Sequence, residues 1–160
     1  YKFSNLLYQQ INKAYLFLFK LIDSKSGEVP NYGGNDGALV LPLNSCDYKD
    51  YRPIIASMHY LIEGEIIFEN GPWLENLIWL FGPKSLESKK NILEPQILIA
   101  EHSGYYTLRA ETSWSMIRCT SHKTRPSHAD MLHVDIWRNE DSHDEDEMGY
   151  EKLVGISLLN

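Results

Sequence analysis

The sequence predicts an α+β fold, with helices in its first half and antiparallel strands in its second. Apolar residues recur at spacings of three and four up to about residue 84, and at a spacing of two from about residue 97. The polar stretch from Lys84 to Pro95 separates the two regimes. At 160 residues, 43% hydrophobic and 12% aromatic, the chain can bury a core, which excludes a disordered polar segment.

Phe3 to Asp23 reads as the first helix, because Phe3, Leu7, Ile11, Ala14, Leu18 and Ile22 build one apolar face. Tyr15, Leu16, Phe17 and Phe19 widen that face, so the helix is expected to pack on two sides, as in a layered helical array. Its longest apolar stretch, Ala14 to Ile22, is interrupted by Lys20 and is too short to span a bilayer. Lys25-Ser26-Gly27 ends the helix, and Pro30 to Gly37 is dense in turn formers. A second helix is predicted from Asp50, with Pro53 tolerated in its first turn and Tyr51, Ile54, Ile55, Met58 and Ile62 on one side. A third follows Asn70-Gly71, starts near Pro72 and stops at Gly82-Pro83.

Strands are predicted over Ile97 to Ala100, Tyr105 to Ala110, Trp114 to Thr120 and Asp130 to Arg138. In the last, Leu132, Val134 and Ile136 alternate with His133, Asp135 and Trp137, giving two unlike faces. His133 is expected to face solvent or to pack on a neighbour. Residues 139–160 carry −6 of the net charge of −7, so the body is near neutral and global charge selects no partner. Within that acidic tail, Leu153 to Leu159 reads either as a strand or as an unpaired apolar end. Cys46 and Cys119 stand in no metal or redox spacing and read as two buried free thiols, with a disulfide as the alternative. No basic stretch, apolar core and small-residue cleavage site opens the chain, which starts at Tyr1, and localisation is left open.

Two loops carry the residues suited to chemistry. In Asn31-Tyr32-Gly33-Gly34-Asn35-Asp36-Gly37, glycines let the backbone approach a ligand while Asn35 and Asp36 offer an amide and a carboxylate. The plain alternative is a loop held by its own Asx-type hydrogen bonds. Ser121 to Asp130 places His128 two residues from Asp130, a metal ligand beside an orienting carboxylate, and Lys123 and Arg125 follow Arg118 in a basic patch suited to an anionic sugar or phosphate. Here the plain alternative is an exposed loop histidine with no role. No P-loop, dinucleotide glycine pattern, His-Glu-x-x-His or Gly-x-Ser-x-Gly is present, and nothing beyond that patch supports nucleic-acid binding.

These segments, with Leu41-Pro42-Leu43, Asp50-Tyr51-Arg52-Pro53, Ser103 to Arg109 and Arg125 to Trp137, together resemble the heparinase II/III-like polysaccharide lyases over residues 1–139. The resemblance implies the end of an incomplete α/α toroid over residues 1–90 and the first strands of an antiparallel β-sheet domain over residues 91–139. Residues 140–160 form an acidic tail foreign to the pattern. It also implies β-elimination on a uronate-containing polysaccharide, a periplasmic or extracellular parent protein, and a structural zinc. Carried onto this chain, Asn35 and His128 become catalytic candidates, Tyr32, Asp36, Lys123 and Arg125 substrate contacts, and His128 the zinc ligand. Pro126 stands where the family's more directly catalytic histidine falls, and the later Asp-Pro-Gly-type turn has no counterpart. The chain therefore reads as a fragment with incomplete machinery. Two rivals follow: a non-catalytic member that binds an anionic polysaccharide or serves its production, favoured by Pro126, and an unrelated α+β interaction protein. Trp73, Trp79 and Trp137 are expected at exposed domain surfaces, where they favour self-association.

Overall fold

The computed structural model describes residues 3–31, 39–120, 131–139 and 150–159. The chain divides into two compact units, one of residues 1–29 with 36–95 and one of residues 30–35 with 96–160.

The first unit is helical. Helix α1, Asn5–Leu21, starts where the Ser4 side chain accepts a hydrogen bond from the Leu7 amide. Helix α2, Arg52–Glu63, carries Pro53 in its first turn and ends on Gly64, whose φ of 71° closes the cap without strain. A tight turn at Pro72–Leu74 leads into α3, Glu75–Phe81, which Gly82 terminates. The apolar face of α1 is narrower than expected. Tyr15, Phe19 and Ile22 form the buried stripe, while Phe3, Leu7 and Leu16 stay exposed, so the second packing face is open in this chain. On α2 the stripe is rotated: Ile55, Ala56 and His59 are buried and Ile54 is 49% exposed. The core joins these residues to Ile66, Ile67, Phe68, Leu74 and Leu77. Each fully buried aliphatic of this set contributes about 1.5–3 kcal/mol.

One arginine ties the connecting segments of this unit together. The Arg52 guanidinium donates from Nη2 to Asp50 Oδ2 at 2.8 Å and from Nη1 to the Lys25 carbonyl at 3.1 Å. Its plane lies 3.7 Å from the Trp73 ring centroid. Gly27 lies beneath this node with φ of 78°, and a Cβ there would run into Asp50 and Arg52.

His59 sits in the core with Nδ1 at 3.0 Å from the Tyr15 hydroxyl, and its Nε2 has no hydrogen-bond partner among the described residues. Burial pushes His59 below its ordinary value of 6.5, against Glu63 and Glu65, which pull it up. The unfolded chain then binds the proton more readily, so this contribution is intact above pH 6.5 and is lost as pH falls below it. Melting temperature should therefore drop on the acid side, and drop less in a Tyr15→Phe/His59→Leu double variant. Equal drops in the two proteins would assign the acid sensitivity to other groups.

The second unit is one antiparallel sheet in the order β1-β2-β3-β4-β5. Its strands are β1 (Ile99–Ala100), β2 (Tyr105–Arg109), β3 (Ser113–Arg118), β4 (Met131–Asn139) and β5 (Tyr150–Leu159). Gly104, with φ of 73°, makes the turn between β1 and β2. The partner of β4 is thus present beyond the acidic stretch: residues 150–159, grouped with the tail in the sequence, pair with it. Alternation in β4 runs opposite to the usual assignment of apolar side chains to the interior. Asp135 and Trp137 are buried, whereas Leu132 and Ile136 are exposed.

The α+β character follows directly from these elements. Among the described residues no helix is long and apolar enough to cross a membrane. Cys46 is partly buried and Cys119 exposed, both as free thiols, so the expectation of two buried thiols holds for neither in full. Trp79 is 66% exposed, but Trp137 is buried and Trp73 is half-buried under Arg52, which corrects two of the three tryptophans expected at the surface.

Candidate functional site

The buried face of the sheet is laid out by register. Directly opposed residues of an antiparallel pair point to the same side. Tyr105 opposes Arg118, which opposes His133; Thr107, Met116 and Asp135 make the next row; Arg109, Trp114 and Trp137 make the third. Three strands therefore present one lattice of side chains, polar at one end and aromatic at the other.

The aromatic row is a stack. Trp114 and Trp137 lie 5.4 Å apart and nearly parallel, at 16°, and the Arg109 guanidinium lies 4.4 Å from the Trp114 ring centroid. Met116 and Thr107 fill the middle row, where Thr107 Oγ1 accepts from the Leu98 amide at 2.7 Å. These contacts fix the spacing of the strands and hold the polar row in place.

That polar row is the candidate site. His133 Nε2 stands 3.3 Å from Asp135 Oδ1, with the His133 side chain 16% exposed and the Asp135 side chain fully buried. Arg118 opposes His133 across the strand pair, and its guanidinium lies 5.5 Å from the Tyr105 ring centroid. The contact is at ion-pair distance only, and His133 Nε2 makes no hydrogen bond among the described residues. On β5, Gly155 opposes Asp135 in register, and it brings no side chain to that position. Leu132, just before His133, holds φ of 56°, a left-handed conformation that is costly for leucine.

An imidazole oriented by a buried carboxylate can accept and return a proton. A guanidinium braced by a phenol ring can hold a carboxylate in its planar fork. Arg118 and His133 carry these two side-chain types at opposed positions of β3 and β4.

The residues singled out from the sequence, Tyr32, Asn35, Asp36, Lys123, Arg125 and His128, all lie outside the described residues. Topology still bears on the second loop. Residues 121–130 connect Arg118 on β3 to β4, so both of its anchor points flank the polar row. Among the described residues no group of three His, Cys, Asp or Glu side chains could hold a metal ion. The pair His133 and Asp135 was missed from the sequence because an alternating strand gives two faces without saying which is inside. The available signal was Trp137, which shares their face and pairs with Trp114.

No protein-family model matches the chain, and neither a curated protein nor a solved structure matches it.

Proposed function

We propose that the chain is part of a polysaccharide lyase that cleaves a uronate-containing polysaccharide by β-elimination, as its resemblance to the heparinase II/III-like family implies. The observation that carries this reading is the juxtaposition of Arg118 with His133 and Asp135 on one sheet face.

β-Elimination needs the uronate carboxylate neutralised, the C5 proton removed, and the leaving C4 oxygen protonated. In this proposal Arg118 pairs with the carboxylate, which makes the C5 proton more acidic. His133 takes that proton; the electron pair forms the C4–C5 double bond and the C4–O bond breaks. When both groups lie on one face of the sugar ring, the imidazolium returns the proton to the departing oxygen. Asp135 is a positioning residue that holds the imidazole and balances its charge. The resemblance gives Asn35 and His128 as catalytic candidates and Tyr32, Asp36, Lys123 and Arg125 as substrate contacts; all six lie outside the described residues and enter no step here. Zinc at His128 belongs to the same reading and enters no step. The parent protein then works outside the cytoplasm, where such polymers are met.

Comparing a uronate polymer with its carboxyl-reduced form tests the role of the charge. The native polymer should be cleaved and the reduced one should not, because its C5 proton is no longer acidified. Equal cleavage of both would point to hydrolysis and away from elimination.

A further inference from the structure

Asn70-Gly71 is the single Asn-Gly pair in the sequence. It lies in the helical unit between two fixed points: Phe68, two residues before it, is buried in the core, and so is Leu74, three residues after it. The Trp73 indole N–H donates to the Glu69 carbonyl at 2.9 Å, and the Leu74 amide donates to the Gly71 carbonyl at 3.1 Å. A Cβ on Gly71 would run into the Trp73 ring, so the packing of that ring requires glycine here. The same ring carries the Arg52 guanidinium, 3.7 Å from its centroid.

Within this frame the pair itself is unengaged. Asn70 is exposed, its carboxamide makes no hydrogen bond among the described residues, and the Gly71 N–H donates to none of them. Other asparagines of the unit differ: Asn44, Asn76 and Asn91 each hold the carboxamide in a hydrogen bond. Ring closure between an asparagine and the next residue needs a carboxamide carbon free to turn toward the backbone and a nitrogen that no side chain shields. Asn70-Gly71 meets both conditions.

We propose that Asn70-Gly71 is a site of spontaneous covalent modification, through a succinimide, that releases Trp73 from Arg52 as the molecule ages. The Gly71 nitrogen attacks Asn70 Cγ; the new C–N bond forms, the bond from Cγ to the amide nitrogen breaks, and ammonia leaves with the Gly71 proton. Water then adds to one of the two ring carbonyl carbons, its C–N bond breaks, and the nitrogen regains a proton. Opening at Cγ gives aspartate on an unchanged backbone. Opening at the main-chain carbonyl gives isoaspartate, whose chain runs through Cβ and Cγ and is longer by one C–C bond, about 1.5 Å. The Glu69 carbonyl and the Trp73 indole stand on opposite sides of that insertion. Isoaspartate therefore pulls the indole out of register with the carbonyl and with the Arg52 guanidinium, while aspartate adds only a charge beside exposed Glu69.

The test is incubation of the folded chain at mildly alkaline pH, with peptide mapping by mass spectrometry at intervals. Asn70 should gain the mass of deamidation at the rate it shows in the urea-denatured chain, while Asn44, Asn76 and Asn91 fall behind their denatured rates. Methylation by an isoaspartyl methyltransferase should report isoaspartate at the same position. Tryptophan emission should move to longer wavelength in step with isoaspartate. It should stay constant in Asn70→Gln, and the shift should be absent from Trp73→Phe although that chain still deamidates. Freshly prepared Asn70→Asp should emit like the unmodified chain, because its backbone is unchanged. Protection of Asn70 relative to the denatured chain would overturn the site. Isoaspartate with unchanged emission, or the same drift in Asn70→Gln, would overturn the release of Trp73.

Discussion

In His133→Gln, elimination should fall by about two to four orders of magnitude, the usual worth of a positioned acid–base group. Glutamine keeps a donor that can reach toward Asp135, so the buried carboxylate is not abandoned, but it cannot take up a proton. The loss should appear in kcat with KM little changed, because the imidazole acts on the transition state more than on bound substrate. Arg118→Lys should show the other behaviour. It keeps the positive charge, loses the planar fork beside Tyr105, and should raise KM for uronate polymers more than it lowers kcat. Equal effects of the two variants on kcat and KM would mean that the row on this sheet face is structural. Circular dichroism and melting of each variant separate loss of chemistry from loss of fold.

The second large effect is on stability. Arg52→Ala should destabilise the helical unit by about 3–5 kcal/mol, because it strips a buried carboxylate of its partner. The Asp50 and Arg52 side chains are only 8% and 14% exposed, so little solvent is available to replace the lost charge. The substitution also removes the stack on Trp73 and the donors to the Lys25 and Ser26 carbonyls. Against a typical total of about 5–15 kcal/mol, this is a large share. An Asp50→Asn/Arg52→Met variant should recover part of it, since no charge is then left unpaired. Chemical denaturation gives the comparison; a change below about 1 kcal/mol in Arg52→Ala would show the pair to be incidental.

Much of this architecture is legible in the sequence where local chemistry decides it. Gly82 marks the end of α3 because a glycine serves as the cap there. Strands β2 to β4 follow from a spacing of two. What local patterns do not carry is direction and distance. The alternation of β4 is compatible with either face inside, and here the face bearing His133, Asp135 and Trp137 is the buried one. The widest hydrophobic surface on α1 comes from Tyr15 and Phe19, whose rings outweigh the regular stripe of Leu7, Ile11 and Ala14. Arg52 is visible only as part of a short Asp-Tyr-Arg-Pro run, since two of its partners lie 26 and 27 residues away. Asn76 is likewise unremarked in the sequence, because its pairing with Asn44 is a tertiary fact. The loop residues Asn35 and His128, most conspicuous in the sequence, fall outside the described residues, and the site is built from strand positions.

The central claim is that this chain carries elimination chemistry on a uronate polymer. It is tested most directly by ultraviolet absorbance of unsaturated uronate during incubation of the folded chain with a panel of acidic polysaccharides. The account predicts a steady rise with at least one polymer, abolished in His133→Gln and unchanged in rate by a substitution at exposed Trp79. No rise with any polymer, or a rise that survives His133→Gln, would contradict it.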